Sequence, residues 1–204
     1  KAGETLSALS TAPAGEVMPR WRAFRRVEEG FGGVILGTQV HQGAVGRHRA
    51  ATGWVQIDGV DGHATGTPGL LLTVTVADCI PVYLVDPVAG AVGLLHSGWR
   101  GTAGGILAAG VAAMVEEFGA AVENMAMHCG VGICGSCYEV GSEVMVGCGL
   151  RHDGPGPWHA DLRALLVEQG QDLGLRRIST SQWCSAHDRP AFYSHRASRG
   201  ADGR

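Results

Sequence analysis

Residues 69–96 read GLLLTVTVADCIPVYLVDPVAGAVGLLH and contain three runs of apolar and β-branched residues. The runs at 69–77, 80–86 and 91–96 are separated by short turns containing Asp, Pro or Gly, a pattern typical of consecutive β-strands. Continuous apolar runs of this length predict strands that are buried on both faces. This stretch therefore predicts a sheet at the centre of the fold.

Further elements surround these three strands. Residues 33–41, 124–130 and 177–180 are predicted to be strands, and residues 20–29, 102–118, 138–146 and 160–173 have helical spacing of apolar residues. Thr102 is a candidate N-cap of the longest helix, and Gly119 is its predicted end. Because strands and helices do not alternate strictly, the order of elements predicts a single α/β or α+β layered domain, with a mixed β-sheet flanked by helices.

Composition excludes several classes of protein. Of 204 residues, 45% are hydrophobic and 17% are charged, which is enough to bury a core. A net charge of −3 gives no basic excess for nucleic-acid binding. No apolar run approaches the roughly 20 residues that cross a bilayer. The absence of a visible secretion signal and six dispersed cysteines favour a cytoplasmic protein with reduced thiols.

Three candidate metal ligands lie at or beyond the ends of predicted strands: His41, Cys79 and His96. Loops at strand ends are where α/β proteins commonly place their sites. A His₂Cys set leaves one tetrahedral position open, as a catalytic Zn²⁺ requires. The alternative for each histidine is a hydrogen-bonded turn residue, and the spacing of the three does not itself predict that they converge.

Copper is the competing metal, because His₂Cys is also the ligand set of blue-copper sites. Coupled multi-copper sites are built largely from His-x-His pairs, and no two of the nine histidines are separated by one residue. A zinc metalloprotease is excluded for a similar reason, since the chain has no HExxH motif.

Cys134-Gly-Ser-Cys137 is a CxxC motif with three open interpretations. It is a structural turn, part of the lining of a substrate site, or a redox dithiol at the start of the helix predicted after it. A structural zinc ribbon would require a second CxxC, which the sequence lacks.

Residues 96–102 read HSGWRGT and contain small residues before a predicted helix. Such a segment can expose backbone N–H groups to an anion, and Arg100 could add donors for phosphate. The alternative is a tight turn with Arg100 in solvent.

Five motifs resemble one known family. They are TQVH at 38–41, ADCIPVYLVDP at 77–87, HSGWRGT at 96–102, GICGSCYEVG at 132–141 and FYSHRASRGADGR at 192–204. Together they resemble the YfiH-type laccase-domain proteins, which are described both as multicopper polyphenol oxidases and as purine nucleoside phosphorylases. The likeness runs from about residue 33 to residue 204. It departs at the start, where the family's TR-x-GG segment is not found, so the N-terminal strand segment of this single domain (1–204) is expected to be truncated or divergent.

The resemblance implies a zinc site on His41, Cys79 and His96 and a cytoplasmic enzyme acting on purine nucleosides. The implied reaction is phosphorolysis of adenosine, inosine or methylthioadenosine, with adenosine deamination by an activated water as a further activity. Copper-dependent polyphenol oxidation and a non-enzymatic metal-binding role are the alternatives. The expected partners are a purine nucleoside and phosphate, with no nucleic acid and no membrane, and the chain is expected to be a monomer or small homo-oligomer.

Four further residues are candidates for the active site of such an enzyme. Arg100 is the candidate phosphate contact. Asp78 is a candidate acid/base or a support for Cys79, with capping of the turn as its alternative. Gln39 is expected to orient a neighbour or the substrate, and Cys137 to line the substrate site.

Overall fold

The computed structural model describes residues 23–188 and 191–199. The strands in this part of the chain are β1 (Gly33–Thr38), β2 (Val45–His48), β3 (Gly53–Asp58), β4 (Gly62–Thr65), β5 (Leu70–Thr73), β6 (Ile80–Asp86), β7 (Ala91–Ser97), β8 (Ala126–Cys129), β9 (Glu139–Val140), β10 (Trp158–His159) and β11 (Arg177–Thr180). The helices are α1 (Trp99–Ala103), α2 (Ile106–Phe118), α3 (Ser142–Gly147) and α4 (Leu162–Asp172). Residues 23–28 are also helical, and Val122–Asn124 forms a 3₁₀ turn. None of these helices, within the described part of the chain, is long and apolar enough to cross a membrane.

The strands form a mixed six-stranded sheet, a parallel three-stranded sheet and a short two-stranded ribbon. The large sheet has the order β11-β8-β6-β7-β4-β2, with parallel pairs at its two edges and antiparallel pairs in the middle. The smaller sheet has the order β3-β1-β5. This arrangement confirms the predicted fold class, a mixed α/β fold with sheets flanked by helices.

The core lies between the large sheet and helices α2 and α4. Fully buried side chains come from both layers, with Leu84 and Leu95 on the sheet and Leu107, Met114 and Leu166 on the helices. Burial of this kind stabilises by roughly 1.5–3 kcal/mol for each large apolar side chain. The sheet thereby becomes a rigid support for the loops at its ends.

The central strands are not buried on both faces along their whole length, which corrects the expectation from their composition. Val82 and Leu84 of β6 are fully buried, whereas Tyr83 and Val85 are 44% and 42% exposed. Because side chains alternate across a strand, the helices cover one face and leave part of the other open.

Element boundaries were predicted unevenly. Strands 80–86 and 177–180 are confirmed with the same bounds, whereas the predicted strand 69–77 is only Leu70–Thr73. Residues 20–22 of the predicted first helix lie outside the described residues. Strands β2, β3 and β4 were not predicted. VGRH and GHAT lack apolar alternation, whereas β3 alternates over only four residues, Val55 to Asp58, and this signal was missed.

Two predicted helices start elsewhere. The helix predicted at 102–118 is divided into α1 and α2 at Gly104 and Gly105, where Gly105 has a φ of +78°. Thr102 is therefore not an N-cap but lies inside α1, where its hydroxyl donates to the carbonyl of Gly98 at 2.9 Å. Gly119 does end α2, in the left-handed conformation. The helix predicted at 138–146 begins only at Ser142, after strand β9.

Candidate metal centre

The structure brings His41, Cys79 and His96 together, with one ligand atom of each within 4.8 Å of the others. The β6–β7 hairpin accounts for two of them. Ile80 pairs with Ser97 and Pro81 with His96, so Cys79 at the start of β6 lies beside the end of β7. The register of a tight hairpin thus fixes the distance between the thiol and the second imidazole.

Asp61 holds the third ligand in place. The carboxylate of Asp61 accepts hydrogen bonds from the backbone N–H groups of Val40, His41 and Gln42, at 3.2, 2.8 and 2.8 Å. His41 has a φ of +60°, in the left-handed region that non-glycine residues seldom adopt. The three N–H groups converging on one carboxylate stabilise this conformation, and the conformation sets the direction of the His41 side chain.

The same carboxylate orients His96. Oδ1 of Asp61 lies 2.9 Å from Nδ1 of His96, and both side chains are buried, with 0% and 3% exposure. The backbone carbonyl of Asp61 also accepts the N–H of His96 at 2.7 Å. With Nδ1–H donating to Asp61, Nε2 of His96 is left with its lone pair free for a metal.

Burial and hydrogen bonds act in opposite directions on the pKa of Asp61. Burial favours the neutral acid, but the hydrogen bonds from Gln42, His96, His41 and Val40 together hold the pKa below its usual value. Asp61 is therefore ionised at neutral pH. Its position next to His96 is the carboxylate–histidine arrangement found behind many metal ligands.

The three side chains fit a metal ion. A Cβ at Gly98 would lie 2.9 Å from Sγ of Cys79 and 3.5 Å from Cδ2 of His41, so only glycine leaves the thiol and the imidazole room to approach. Burial, together with the charges of Asp78 and Asp61, raises the pKa of the Cys79 thiol to about 12 in the absence of a cation. A bound cation reverses this preference by deprotonating the thiol. Two imidazoles and one thiolate suit Zn²⁺ or copper.

Gln39 and Asp78 support the loops that carry the ligands. The amide of Gln39 donates to the carbonyl of Thr75 at 2.9 Å, and its oxygen accepts the N–H of Thr75 at 2.7 Å. This pair of bonds joins the loop before His41 to the loop before Cys79. The structure thus places Gln39 against a neighbouring loop, and its contact with a substrate stays a prediction.

Asp78 connects the Cys79 loop to the C-terminal segment. Its Oδ1 accepts the hydroxyl of Ser185 at 2.6 Å, and its Oδ2 accepts the backbone N–H of Arg196 at 2.7 Å. Its carbonyl accepts the N–H of Ile133 at 2.8 Å. With both carboxylate oxygens engaged, Asp78 has the geometry of a support for Cys79.

Two arginines differ in their surroundings. The guanidinium of Arg100 is exposed and stacks on its neighbour Trp99, 4.4 Å from the ring centre. Arg196 is also exposed, but its guanidinium lies over Tyr138, 5.3 Å from the ring centre, and donates a hydrogen bond to the backbone carbonyl of Glu139. Burial raises the pKa of Tyr138 to about 12, with the charge of Cys79 adding to it and that of Arg196 opposing it. Tyr138 therefore interacts electrostatically with both Cys79 and Arg196.

Cys137 is placed in a second cluster, together with Cys134, Cys184 and His187. Sequence reasoning missed Cys184 and His187, although their spacing, Cys-x-x-His, is itself a signal. It also missed Asp61, whose only sequence signal is an acidic residue between polar strands, and Arg196, which lies in a quoted motif but was given no role.

Fold and site together define a class: a mixed α/β protein with a cluster of two histidines and one cysteine that could hold a metal ion, supported by a buried carboxylate. A family model described as multi-copper polyphenol oxidoreductase laccase matches residues 17–204. The chain belongs to this family.

Curated relatives carry the names of purine-nucleoside enzymes. A purine nucleoside phosphorylase from Deinococcus radiodurans is 39% identical over 178 residues, covering 81% of this chain and 65% of that protein. Adenosine deaminase RL5, from an unknown prokaryotic organism, is 37% identical over 154 residues, covering 69% of this chain and 58% of that protein. The chain thus spans about three fifths of the length of these relatives.

Solved structures have the same fold. YlmD from Geobacillus stearothermophilus aligns with a TM-score of 0.78 at 32% identity, over 88% of this chain and 75% of that one. A Bacillus licheniformis hypothetical protein, YfiH, aligns with a TM-score of 0.76 at 27% identity, over 84% of this chain and 71% of that one.

Proposed function

We propose that this protein is a metal-dependent enzyme that acts on purine nucleosides. The reaction that we propose is phosphorolysis of adenosine, inosine or methylthioadenosine, with deamination of adenosine as a second activity. The names of the relatives, purine nucleoside phosphorylase and adenosine deaminase, support this class of substrate. The observation that carries the proposal is the His41–Cys79–His96 cluster with Asp61 behind it.

The cluster has three protein ligands, the number that catalytic zinc sites use. A Zn²⁺ ion bound there supplies a Lewis acid with one open position. Asp61 keeps His96 in one tautomer and one orientation, and it fixes the backbone that presents His41. These contacts pre-organise the ligands, so that the geometry does not have to form during the reaction.

Phosphorolysis requires a group that holds phosphate. A phosphate oxygen forms a bond to C1′ of the ribose while the C1′–N bond to the purine breaks, and the purine leaves with a proton. Arg196 is the better candidate to hold the phosphate, because its backbone N–H binds Asp78, the residue before Cys79, and its guanidinium lies over Tyr138. Arg100 is stacked in solvent on Trp99. We therefore propose Arg196, in place of Arg100, as the residue that contacts phosphate.

Deamination uses the same centre differently. The oxygen of a water molecule forms a bond to C6 of adenine, and the exocyclic nitrogen leaves as ammonia. Phosphate plays no part in this reaction. Dependence on phosphate therefore separates the two activities in one assay.

The test offers adenosine, inosine and methylthioadenosine to zinc-loaded protein, with and without inorganic phosphate, and separates the products by chromatography. Free adenine or hypoxanthine that requires phosphate supports phosphorolysis, and inosine formed from adenosine without phosphate supports deamination. Cys79→Ala is expected to abolish both. Cys148→Ala is the matched control, because Cys148 is a half-buried cysteine outside both clusters, and its activity is expected to be that of the wild type.

Copper-dependent phenol oxidation is the second candidate, supported by the description of the family and by a donor set that copper accepts. Phenol oxidation that follows copper content, without nucleoside turnover, would favour it over our proposal. No activity of either kind at full metal occupancy would leave a non-enzymatic metal-binding protein.

A further inference from the structure

Four potential metal ligands lie apart from the proposed active centre. The sulfurs of Cys134, Cys137 and Cys184 and a ring nitrogen of His187 all lie within 4.8 Å of one another. Cys184 is buried, Cys134 and Cys137 are half-buried, and His187 is exposed. The proposed reaction uses none of these groups, so their convergence requires a separate explanation.

The pairing of β8 with β11 brings the two halves of this cluster together. These strands are parallel neighbours, with Ala126 opposite Arg177 and Cys129 opposite Thr180. Parallel strands end at the same edge of a sheet, so the loops that follow them leave side by side. A bridge between Gly132 and Cys184 continues the pairing into these loops.

Each half forms a tight turn that points two ligands in one direction. In the first, the N–H groups of Cys137 and Tyr138 both donate to the carbonyl of Cys134 at 3.0 Å. In the second, the N–H of Asp188 donates to the carbonyl of Cys184 at 2.9 Å. The motifs are thus a Cys-x-x-Cys and a Cys-x-x-His, spacings that zinc sites use.

Hydrogen bonds to sulfur support the cluster from outside. The N–H of Cys134 points at Sγ of Cys184 at 3.3 Å, and the hydroxyl of Ser136 lies 3.1 Å from Sγ of Cys134. Asp188 accepts the N–H of Cys184 at 2.8 Å and holds the second turn. Such outer contacts orient metal ligands and stabilise thiolates.

We propose that Cys134, Cys137, Cys184 and His187 bind a structural Zn²⁺ ion. Zn–S bonds of about 2.3 Å and Zn–N bonds of about 2.0 Å place tetrahedral ligand atoms about 3.5–3.8 Å apart. Here one ligand atom from each of the four residues lies within 4.8 Å of the other three, and Sγ of Cys137 lies 3.1 Å from Nε2 of His187. Four protein ligands close the coordination sphere, so the ion has no open position for a substrate.

The proposed ion would stabilise strand β11 and the segment after it, which few buried contacts hold in place. Strand β11 is a four-residue edge strand with no fully buried residue. The segment beyond it carries Ser185 and Arg196, which bind Asp78 next to Cys79. Zinc in the second cluster would therefore hold one wall of the first metal centre.

The first test uses the Cys79→Ala protein, in which the first cluster lacks its thiol and, among the residues that the structure describes, only the second cluster keeps all of its ligands. We expect about one zinc ion per chain after purification, and zinc X-ray absorption that shows about three sulfurs near 2.3 Å and one nitrogen. Zinc content near zero, or absorption without a sulfur shell, would overturn the proposal. Because the first centre is disabled in this protein, failure of the proposed nucleoside activity cannot produce either result.

The second test compares substitutions at His187, which is exposed and so tolerates change without loss of the core. In the Cys79→Ala background, His187→Ala is expected to lose zinc to a chelator at least about tenfold faster, and His187→Cys to restore retention with a four-sulfur shell. His128→Ala, at an exposed histidine outside both clusters, is the control. Equal zinc loss from all of these proteins would contradict the assignment.

Discussion

The two clusters of histidine and cysteine are built from similar ligands but support opposite chemistry. The first has three ligands, and a buried carboxylate orients one of its imidazoles and the backbone of another. The second has four ligands, mostly sulfur, and is supported by hydrogen bonds from the backbone and from Ser136. An open position permits substrate to reach a metal, whereas a closed sulfur-rich sphere only stabilises the fold.

The two regions are connected through Asp78. This residue precedes Cys79 of the first cluster, and its carboxylate binds Ser185, which follows Cys184 of the second. Its carbonyl binds the N–H of Ile133, the residue before Cys134. Changes at one cluster are therefore expected to reach the other through this one residue, and they are expected to be weaker there than at their origin.

The largest effect is expected from Asp61→Asn. An amide can replace only part of a carboxylate that accepts three backbone N–H groups and the His96 ring, so buried donors lose their partners. Each buried donor that loses its acceptor costs about 1–3 kcal/mol, and more than one donor is affected here. We expect a fall of this size in the free energy of unfolding, measured by urea denaturation, and loss of metal from the first cluster.

Asp188→Asn is the matched change at the second cluster. Asp188 accepts a single N–H, from Cys184, and its side chain is only half-buried. We expect a loss of about 1 kcal/mol or less. An equal fall in the free energy of unfolding of the two variants would show that Asp61 contributes no more to stability than Asp188.

The second effect concerns a buried pair of histidines that lies outside both clusters. His63 and His48 share a hydrogen bond of 3.0 Å outside both clusters. Burial and the neighbouring His48 lower the pKa of His63 to about 4, although Asp61 opposes this, and burial also lowers that of His48. Because the unfolded chain takes up these protons near pH 6.5, the free energy of unfolding should fall between about pH 6.5 and pH 4.

For His63 alone this loss is on the order of 3 kcal/mol. Urea denaturation across that range measures it. His63→Asn should flatten the dependence relative to the wild type, while His128→Gln, at an exposed position, should leave it unchanged. The same slope in His63→Asn and in the wild type would assign the acid sensitivity to other groups.

The third effect tests the space around the first cluster. In Gly98→Ala the new methyl group would lie 2.9 Å from Sγ of Cys79, which displaces the thiol. We expect zinc affinity of the first cluster to fall by about 10–100-fold, measured by competition with a chelator, while the second cluster keeps its zinc. Gly32→Ala is the control, since its nearest neighbour would be 3.9 Å away. Unchanged affinity in Gly98→Ala would show that the thiol does not need this space.

The smallest effect compares the two arginines. Arg196→Gln is expected to raise the KM for phosphate about tenfold, since a hydrogen bond to a charged group contributes about 1.5–3 kcal/mol. Arg100→Gln is expected to change it less than about twofold. The measurement is initial rate against phosphate concentration at saturating inosine. A larger rise in the KM for phosphate in Arg100→Gln than in Arg196→Gln would identify Arg100 as the phosphate contact.

Part of the first cluster follows from the sequence. The sequence predicts strands 80–86 and 91–96 with a short turn between them, and in the structure they form an antiparallel hairpin whose register places Cys79 beside His96. His41 is different, because its approach depends on the side chain of Asp61, 20 residues away along the chain. Residue periodicity carries no information about a contact of that kind.

The unpredicted strands have a similar explanation. All four residues of β4, GHAT, are buried, although two of them are polar. Thr65 donates to the carbonyl of His48, and His63 bonds the ring of His48, so tertiary hydrogen bonds replace the apolar pattern that identifies a buried strand. For the second cluster, the sequence analysis looked for a second Cys-x-x-Cys. The motif that lies beside Cys-x-x-Cys 134–137 in the structure is instead a Cys-x-x-His at 184–187.

The hydrogen bond between Asp78 and Ser185 has a consequence during synthesis. The two residues are 107 positions apart, and a ribosome adding about 5–20 residues per second needs about 5–20 s to make that length of chain. His41, Cys79 and His96 all emerge within this interval or before it. The three candidate ligands of the first cluster are thus synthesised seconds before the segment that braces Asp78.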